Sequence, residues 1–136
     1  MNNSSYSHSQ LSANGLLATV RQFFKGLGKP KKRARGPAAK YSPVDLLMSG
    51  LAIFGLKYPS LLQFDKGRNE ELTQQNLKDL YGVENTPSDT TLRKHLDRID
   101  PTEVRGAFKK VFSRLQRRKV LQNYACLKLL LQTLTT

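Results

Sequence analysis

The sequence is poor in the residues that form covalent cross-links and metal sites. It has one cysteine, Cys126, and two histidines, His8 and His95, which lie far apart. One cysteine excludes an intramolecular disulfide and a cysteine-based zinc site, and the histidines lack the spacing of metal ligands. We expect His95 to be a surface or packing residue, and we expect no nucleophilic role for Cys126. This cysteine usage is typical of a reducing compartment and favours a cytoplasmic location.

Long apolar segments are also missing. The longest apolar-rich run, Val44–Leu56, contains one acid and two glycines, and a helix that crosses a bilayer needs about 20 apolar residues. The first ten residues are polar and uncharged, unlike a secretory signal. No amphipathic segment with a cationic face stands out as a membrane anchor. The sequence therefore predicts no membrane partner.

Acidic residues are few and unevenly placed. Ten Asp and Glu stand against 23 Lys and Arg, and no acid follows Glu103. Metal-dependent phosphoryl chemistry needs carboxylates that converge on Mg²⁺. The acids here are scattered over predicted caps and surfaces: Asp45, Asp79, Asp89, Asp97, Asp100 and Glu103. The motifs GxxxxGK, HExxH and GxSxG are absent too. We predict no catalytic residue, no metal site and no cofactor in this chain.

Positive charge is what the sequence has in excess. The formal net charge is +13, and a surplus of this size repels itself unless a polyanion neutralises it. A nucleic acid does so while releasing its condensed counterions, which favours the complex. We therefore expect double-stranded DNA or another nucleic acid as the partner.

Apolar residues recur at helical spacing, and no segment alternates as a strand does. The predicted fold class is all-α, with a small helical domain at 41–124. A disordered N-terminus, a short helix ending near Gly26 or Gly28 and a basic linker occupy 1–40, and an apolar tail occupies 125–136. Residues typical of helix caps and stops mark the predicted helix ends: Ser42, Gly82, Ser88 and Asp100.

The hydrophobic pattern also predicts the core. Val44–Leu56 is apolar on nearly all sides and is predicted to be its centre. A short helix after Pro59 is expected to turn Leu61, Leu62 and Phe64 inward. The helix that follows Asp100 is expected to bury Val104, Ala107, Phe108, Val111, Phe112 and Leu115.

The segment Gln74–Arg98 has the order helix, glycine turn, capped helix. In a helix-turn-helix the second helix lies in the major groove of DNA and its first turns meet the base edges. The second helix here offers Ser88, Asp89, Thr90, Thr91, Arg93, Lys94 and Arg98 to DNA, with Leu92 and Leu96 holding it on its partner helix. The connection Gly82–Pro87 is longer than the usual turn of three or four residues. Two ordinary packed helices with a polar outer face are the alternative.

Two further segments concentrate cations. The linker contains Lys31, Lys32, Arg33 and Arg35, and no acid lies between Arg21 and Lys40. This segment can be a solvated linker, an arm that lies on phosphates, or both, since the two interpretations are compatible. A second set falls within the helix that follows Asp100: Arg105, Lys109, Lys110, Arg114, Arg117 and Arg118. These side chains are predicted to form one stripe that tracks a phosphate backbone, the alternative being a solvated helix face.

Four segments together resemble the N-terminal region of bacterial insertion-sequence transposases of the DDE type. They are Ser42–Asp65, Asn76–Val83, Pro87–Pro101 and Phe112–Leu121. The resemblance covers about Lys40 to Tyr124. It implies a helical region that recognises the ends of the mobile element, with Thr90, Thr91, Arg93 and Lys94 in that role.

In that family an RNase H-like domain follows, and its first strand ends in a metal-binding Asp followed by Gly. The tail Ala125–Thr136 has no such Asp. The resemblance therefore implies a transposase truncated or frameshifted before its catalytic domain. Mg²⁺ would be needed only by a full-length family member that contains that domain. No catalytic residue is carried over to this chain.

These observations lead to one expectation and its alternatives. We expect a DNA-binding, nucleoid-associated protein that recognises transposon ends without strand transfer. The alternatives are a free-standing basic regulator or RNA-binding protein and a remnant that does not fold stably. The leucines of the tail, Leu127, Leu129, Leu130, Leu131 and Leu134, need cover, from the core of the same chain or from another copy.

Overall fold

A computed structural model of the chain describes residues 11–27 and 40–119, and over these ranges it contains six helices and no strand. The helices are α1 (Ala13–Leu27), α2 (Pro43–Gly55), α3 (Leu61–Gly67), α4 (Glu71–Asp79), α5 (Asp89–Leu96) and α6 (Pro101–Arg117). The predicted all-α class is confirmed. Residues 1–10, 28–39 and 120–136, with most of the predicted disordered N-terminus, the cationic linker and the apolar tail, lie outside the described residues.

Three helices begin where the sequence predicts caps. The capping bonds run from Asp45 N to Ser42 Oγ (3.0 Å), from Thr91 N to Ser88 Oγ (3.4 Å) and from Thr102 N to Asp100 Oδ1 (2.8 Å). The pKa of the Asp100 carboxyl is below its ordinary value. The main cause is the hydrogen bond from the Thr102 backbone N–H, and a hydrogen bond from the Thr102 side chain adds to it. Gly82 follows α4 with a φ of 64°, the left-handed conformation that favours glycine after a helix.

Helix α2 is the centre of the core, as predicted. Leu46, Met48, Ala52 and Ile53 are all buried. Helix α5 packs on α2 and α3, and α1 packs on α2 and α6. The layers thus stack outward from α2, which accounts for its apolar composition on almost every side.

Helix α1 belongs to this core, although the sequence pattern predicts it in the segment before the domain. Phe24 is buried, and Arg21 Nη2 donates to the carbonyl of Gly82 at 2.8 Å and lies 3.8 Å from Asp45 Oδ1. The predicted domain limits of 41–124 therefore omit a helix that the core includes. Arg21 therefore joins α1 to the connection between α4 and α5 and is not part of the cationic linker.

Two residues predicted to face inward do not. Leu62 is 54% exposed and Phe108 is 73% exposed. Leu62 lies two positions before the fully buried Phe64, which places it about 160° around the helix from Phe64. Phe108 borders an open apolar groove between α1, α2 and α6.

Candidate nucleic-acid interface

Helix α3 fixes the start of α5. The carboxylate oxygen Asp65 Oδ1 accepts a hydrogen bond from Asp89 N at 3.2 Å and lies 3.0 Å from Arg68 Nε. Arg68 Nη1 in turn donates to the carbonyl of Thr86 at 2.9 Å. Charge-assisted bonds of this kind are stronger than neutral ones, so the connection and the first turn of α5 are held against α3.

The packing partner of α5 differs from the prediction. Its fully buried Leu92 and half-buried Leu96 anchor a helix that packs on α2 and α3, and Leu96 lies against Gly50 of α2. The preceding helix α4 is not a principal contact of α5. The long connection Gly82–Pro87 lets the chain bypass α4 before α5 begins.

Four of the predicted DNA-contacting residues are exposed on α5 or just after it: Thr90, Arg93, Lys94 and Arg98. At about 100° per residue, Thr90, Arg93 and Lys94 share one side of the helix, opposite Leu92. Arg98 lies two residues after the last residue of α5, Leu96. These four side chains are called the α5 face below.

The other predicted residues at the start of α5 are engaged within the helix. The hydroxyls of Ser88 and Thr91 lie 3.0 Å apart, and the Ser88 hydroxyl also caps the helix. Asp89 Oδ1 accepts from the hydroxyl of Thr90 at 3.1 Å. His95 is exposed, with Nδ1 2.9 Å from the Thr91 carbonyl oxygen.

Acidic groups restrict where an anion can approach α5. Asp65 and Asp89 place two carboxylates at its N-terminus, where the helix dipole otherwise attracts phosphate. Asp97 is exposed one turn after Arg93, on the same side as the α5 face. The positive end of the face therefore lies at Arg93, Lys94 and Arg98, toward the C-terminus of α5. The sequence pattern predicts Asp97 to be an isolated surface charge, although its spacing of four from Arg93 indicates a shared side of the helix.

The predicted cationic stripe on α6 is interrupted. Arg114 Nη1 donates to the Thr19 hydroxyl and to the Gly15 carbonyl at 3.4 Å, so Arg114 joins α6 to α1. The exposed Arg105 and Lys109 form one row with a spacing of four, whereas Lys110 lines a hollow beside α1 together with Arg114. The exposed cations Arg117 and Arg118 lie at the C-terminal end of α6.

Two ion pairs form among the described residues, Arg21–Asp45 and Arg68–Asp65. Both lie within the scaffold, so the cations of the α5 face and of the α6 row are outside them. The predicted contacts Lys31, Lys32, Arg33 and Arg35 fall outside the described residues. The structure thus has two exposed basic surfaces. One is the α5 face, on a helix that packs on α2 and α3, and the other is the row of Arg105 and Lys109 on α6, which packs on α1.

The described ranges contain no group of three or more His, Cys, Asp or Glu side chains placed to hold a metal ion. Within the same ranges, no helix combines the length and the apolar character that crossing a membrane requires. No protein-family model, curated protein or solved structure matches this chain.

Proposed function

We propose that this protein binds double-stranded DNA through the α5 face, as the DNA-binding N-terminal portion of a DDE transposase that recognises transposon ends. The observation that carries the proposal is the exposure of Arg93 and Lys94 on one side of a helix whose opposite side is buried at Leu92, with the exposed Arg98 in the turn that follows. Arginine takes a guanine edge by two hydrogen bonds, and lysine neutralises phosphates. A helix anchored on two others presents these groups with little loss of entropy on binding.

The remaining cations have a different role from those of the α5 face. Arg105 and Lys109 on α6 and the linker cations Lys31, Lys32 and Arg33 contact phosphates, which position a protein on DNA without reading its sequence. Association with the nucleoid follows from such binding. The transposon origin rests on the resemblance over Lys40 to Tyr124.

We further propose binding without strand transfer. The carboxylate of Asp45 forms an ion pair with Arg21. The carboxylate of Asp65 accepts a hydrogen bond from Asp89 N, and that of Asp100 caps α6. These three carboxylates thus have partners within the scaffold, and strand transfer would need three carboxylates that converge on Mg²⁺.

The test compares three variants, each with two cations replaced by Ala, by fluorescence anisotropy. The ligands are duplexes with the end sequences of the encoding DNA element and duplexes of the same composition in shuffled order. Arg93→Ala/Lys94→Ala is expected to weaken binding and to remove the preference for end sequences. Lys31→Ala/Lys32→Ala is expected to weaken binding to both duplexes equally. The control Lys57→Ala/Lys78→Ala removes the same charge from exposed positions on other elements and is expected to have the smallest effect.

Each failure has a distinct meaning. An equal, uniform loss in all three variants would contradict the α5 assignment. Equal affinity for duplex RNA would favour the free-standing regulator. Cleavage of an end duplex in the presence of Mg²⁺ would show that the chain has catalytic activity after all.

A further inference from the structure

An open apolar groove runs between α1, α2 and α6. Its lining includes Val20, Leu51, Phe54, Val104 and Phe108, and its volume is about 710 Å³. Phe54 is 81% exposed and Phe108 is 73% exposed. Two large aromatic side chains in water beside a continuous apolar surface indicate a site that another apolar element covers.

The end of α6 has a backbone geometry that favours a return of the chain toward this groove. Lys119 follows the helix with a φ of 57°, and its N–H donates to the Gln116 carbonyl at 2.9 Å. A left-handed residue in this position turns the backbone back and commonly brings the next residue, here Val120, onto the third residue from the helix end, Leu115. Leu115 continues the row of Val104, Phe108 and Val111 at spacings of three and four, so this motif favours an exit of the chain on the groove side of α6.

The sequence that follows has a matching pattern. Apolar residues alternate at spacings of four and three: Val120, Tyr124, Leu127, Leu131 and Leu134. This spacing predicts one apolar side of a helix. A helix over 120–136 is about 25 Å long, comparable with α6, which has 17 residues.

We propose that segment 120–136 folds back along α6 as a helix and covers the groove with this apolar side. The segment is covalently attached next to the groove, so its effective concentration there exceeds that of a second copy in dilute solution. It contains no acidic residue. At about 100° per residue, Arg105 and Lys109 lie about 80° and about 120° around α6 from Leu115. The proposal uses neither cation, so it can be tested separately from DNA binding.

Cys126 provides the test because it is the only cysteine. A nitroxide on Cys126 of the full chain is expected to broaden the methyl signals of Leu51, Val104 and Val111 more strongly than that of Leu72, on α4. A second sample mixes spin-labelled protein without isotopes with ¹³C-methyl protein that carries no nitroxide. Folding back predicts broadening in the first sample only.

Matched variants separate contact from mere proximity. Leu127→Asp/Leu131→Asp places charges on the apolar side and is expected to abolish the difference between Leu51 and Leu72. Gln132→Asp/Thr133→Asp places the same charges outside the apolar side of the segment and is expected to preserve the difference between Leu51 and Leu72. Broadening in both samples would assign the groove to a second copy and overturn the proposal, as would the absence of preferential broadening in either sample.

Discussion

Arginine serves two different purposes in this chain. Arg21, Arg68 and Arg114 join elements that are distant in sequence, by bonds to Gly82, Thr86 and Thr19. Arg93 is exposed on α5 and Arg98 is exposed in the turn after it. Composition predicts the total charge but not this division, because the scaffold arginines have partners up to 99 positions away. Sequence patterns consequently assign Arg114 to the nucleic-acid interface and Arg21 to the linker.

Asp97 places a carboxylate among the cations of the α5 face, so the proposed function predicts that it weakens DNA binding. Asp97→Asn is expected to raise the affinity for duplex DNA about threefold to tenfold, since one unit charge a few ångströms from a phosphate changes the energy by about 1 kcal/mol in water. Anisotropy titration at low salt measures the change. Asp79→Asn, at an exposed position on α4, is the matched control and is expected to have little effect. Equal gains in both variants would show that total charge, not the α5 face, governs binding.

Among the elements, local signals predicted the helices well. The caps at Ser42, Ser88 and Asp100 and the stop at Gly82 depend on neighbouring residues alone. The partner of α5 was not predicted, because the choice between α4 and the α2–α3 pair depends on long-range packing. The exposure of Phe108 was missed for the same reason, since its periodicity fits a buried position.

The contact between α1 and α6 depends on Gly106. A Cβ atom there would collide with the ring of Phe23. Gly106→Val is expected to lower the free energy of unfolding by about 1–3 kcal/mol, the usual cost of overpacking. Gly26 of α1 is also helical, but a Cβ atom at that residue would meet no other atom within 4 Å. Gly26→Val is therefore the control, and urea unfolding that gives equal stabilities would contradict a tight contact at Gly106.

For the molecule as a whole, the net charge is +13, so the proposed DNA binding is expected to depend on salt concentration. If about six cations contact phosphates, the slope of log K against log salt concentration is expected to be about −5. Replacing Lys31, Lys32 and Arg33 with Ala is expected to reduce that slope by about 3. Titrations at several salt concentrations give both slopes. A slope near zero for the unmodified protein would contradict an electrostatic interface.

The packing of α1 on α2 and α6 has a topological consequence for the cationic linker. The residues that flank it, Leu27 and Lys40, are both described parts of the chain, so the twelve residues between them are tethered at both ends. Twelve residues tethered in this way reach at most about 20 Å from their anchors. Under the proposed function, the phosphates within their range are those in a short arc of duplex next to the helices, which would limit the footprint to a compact site.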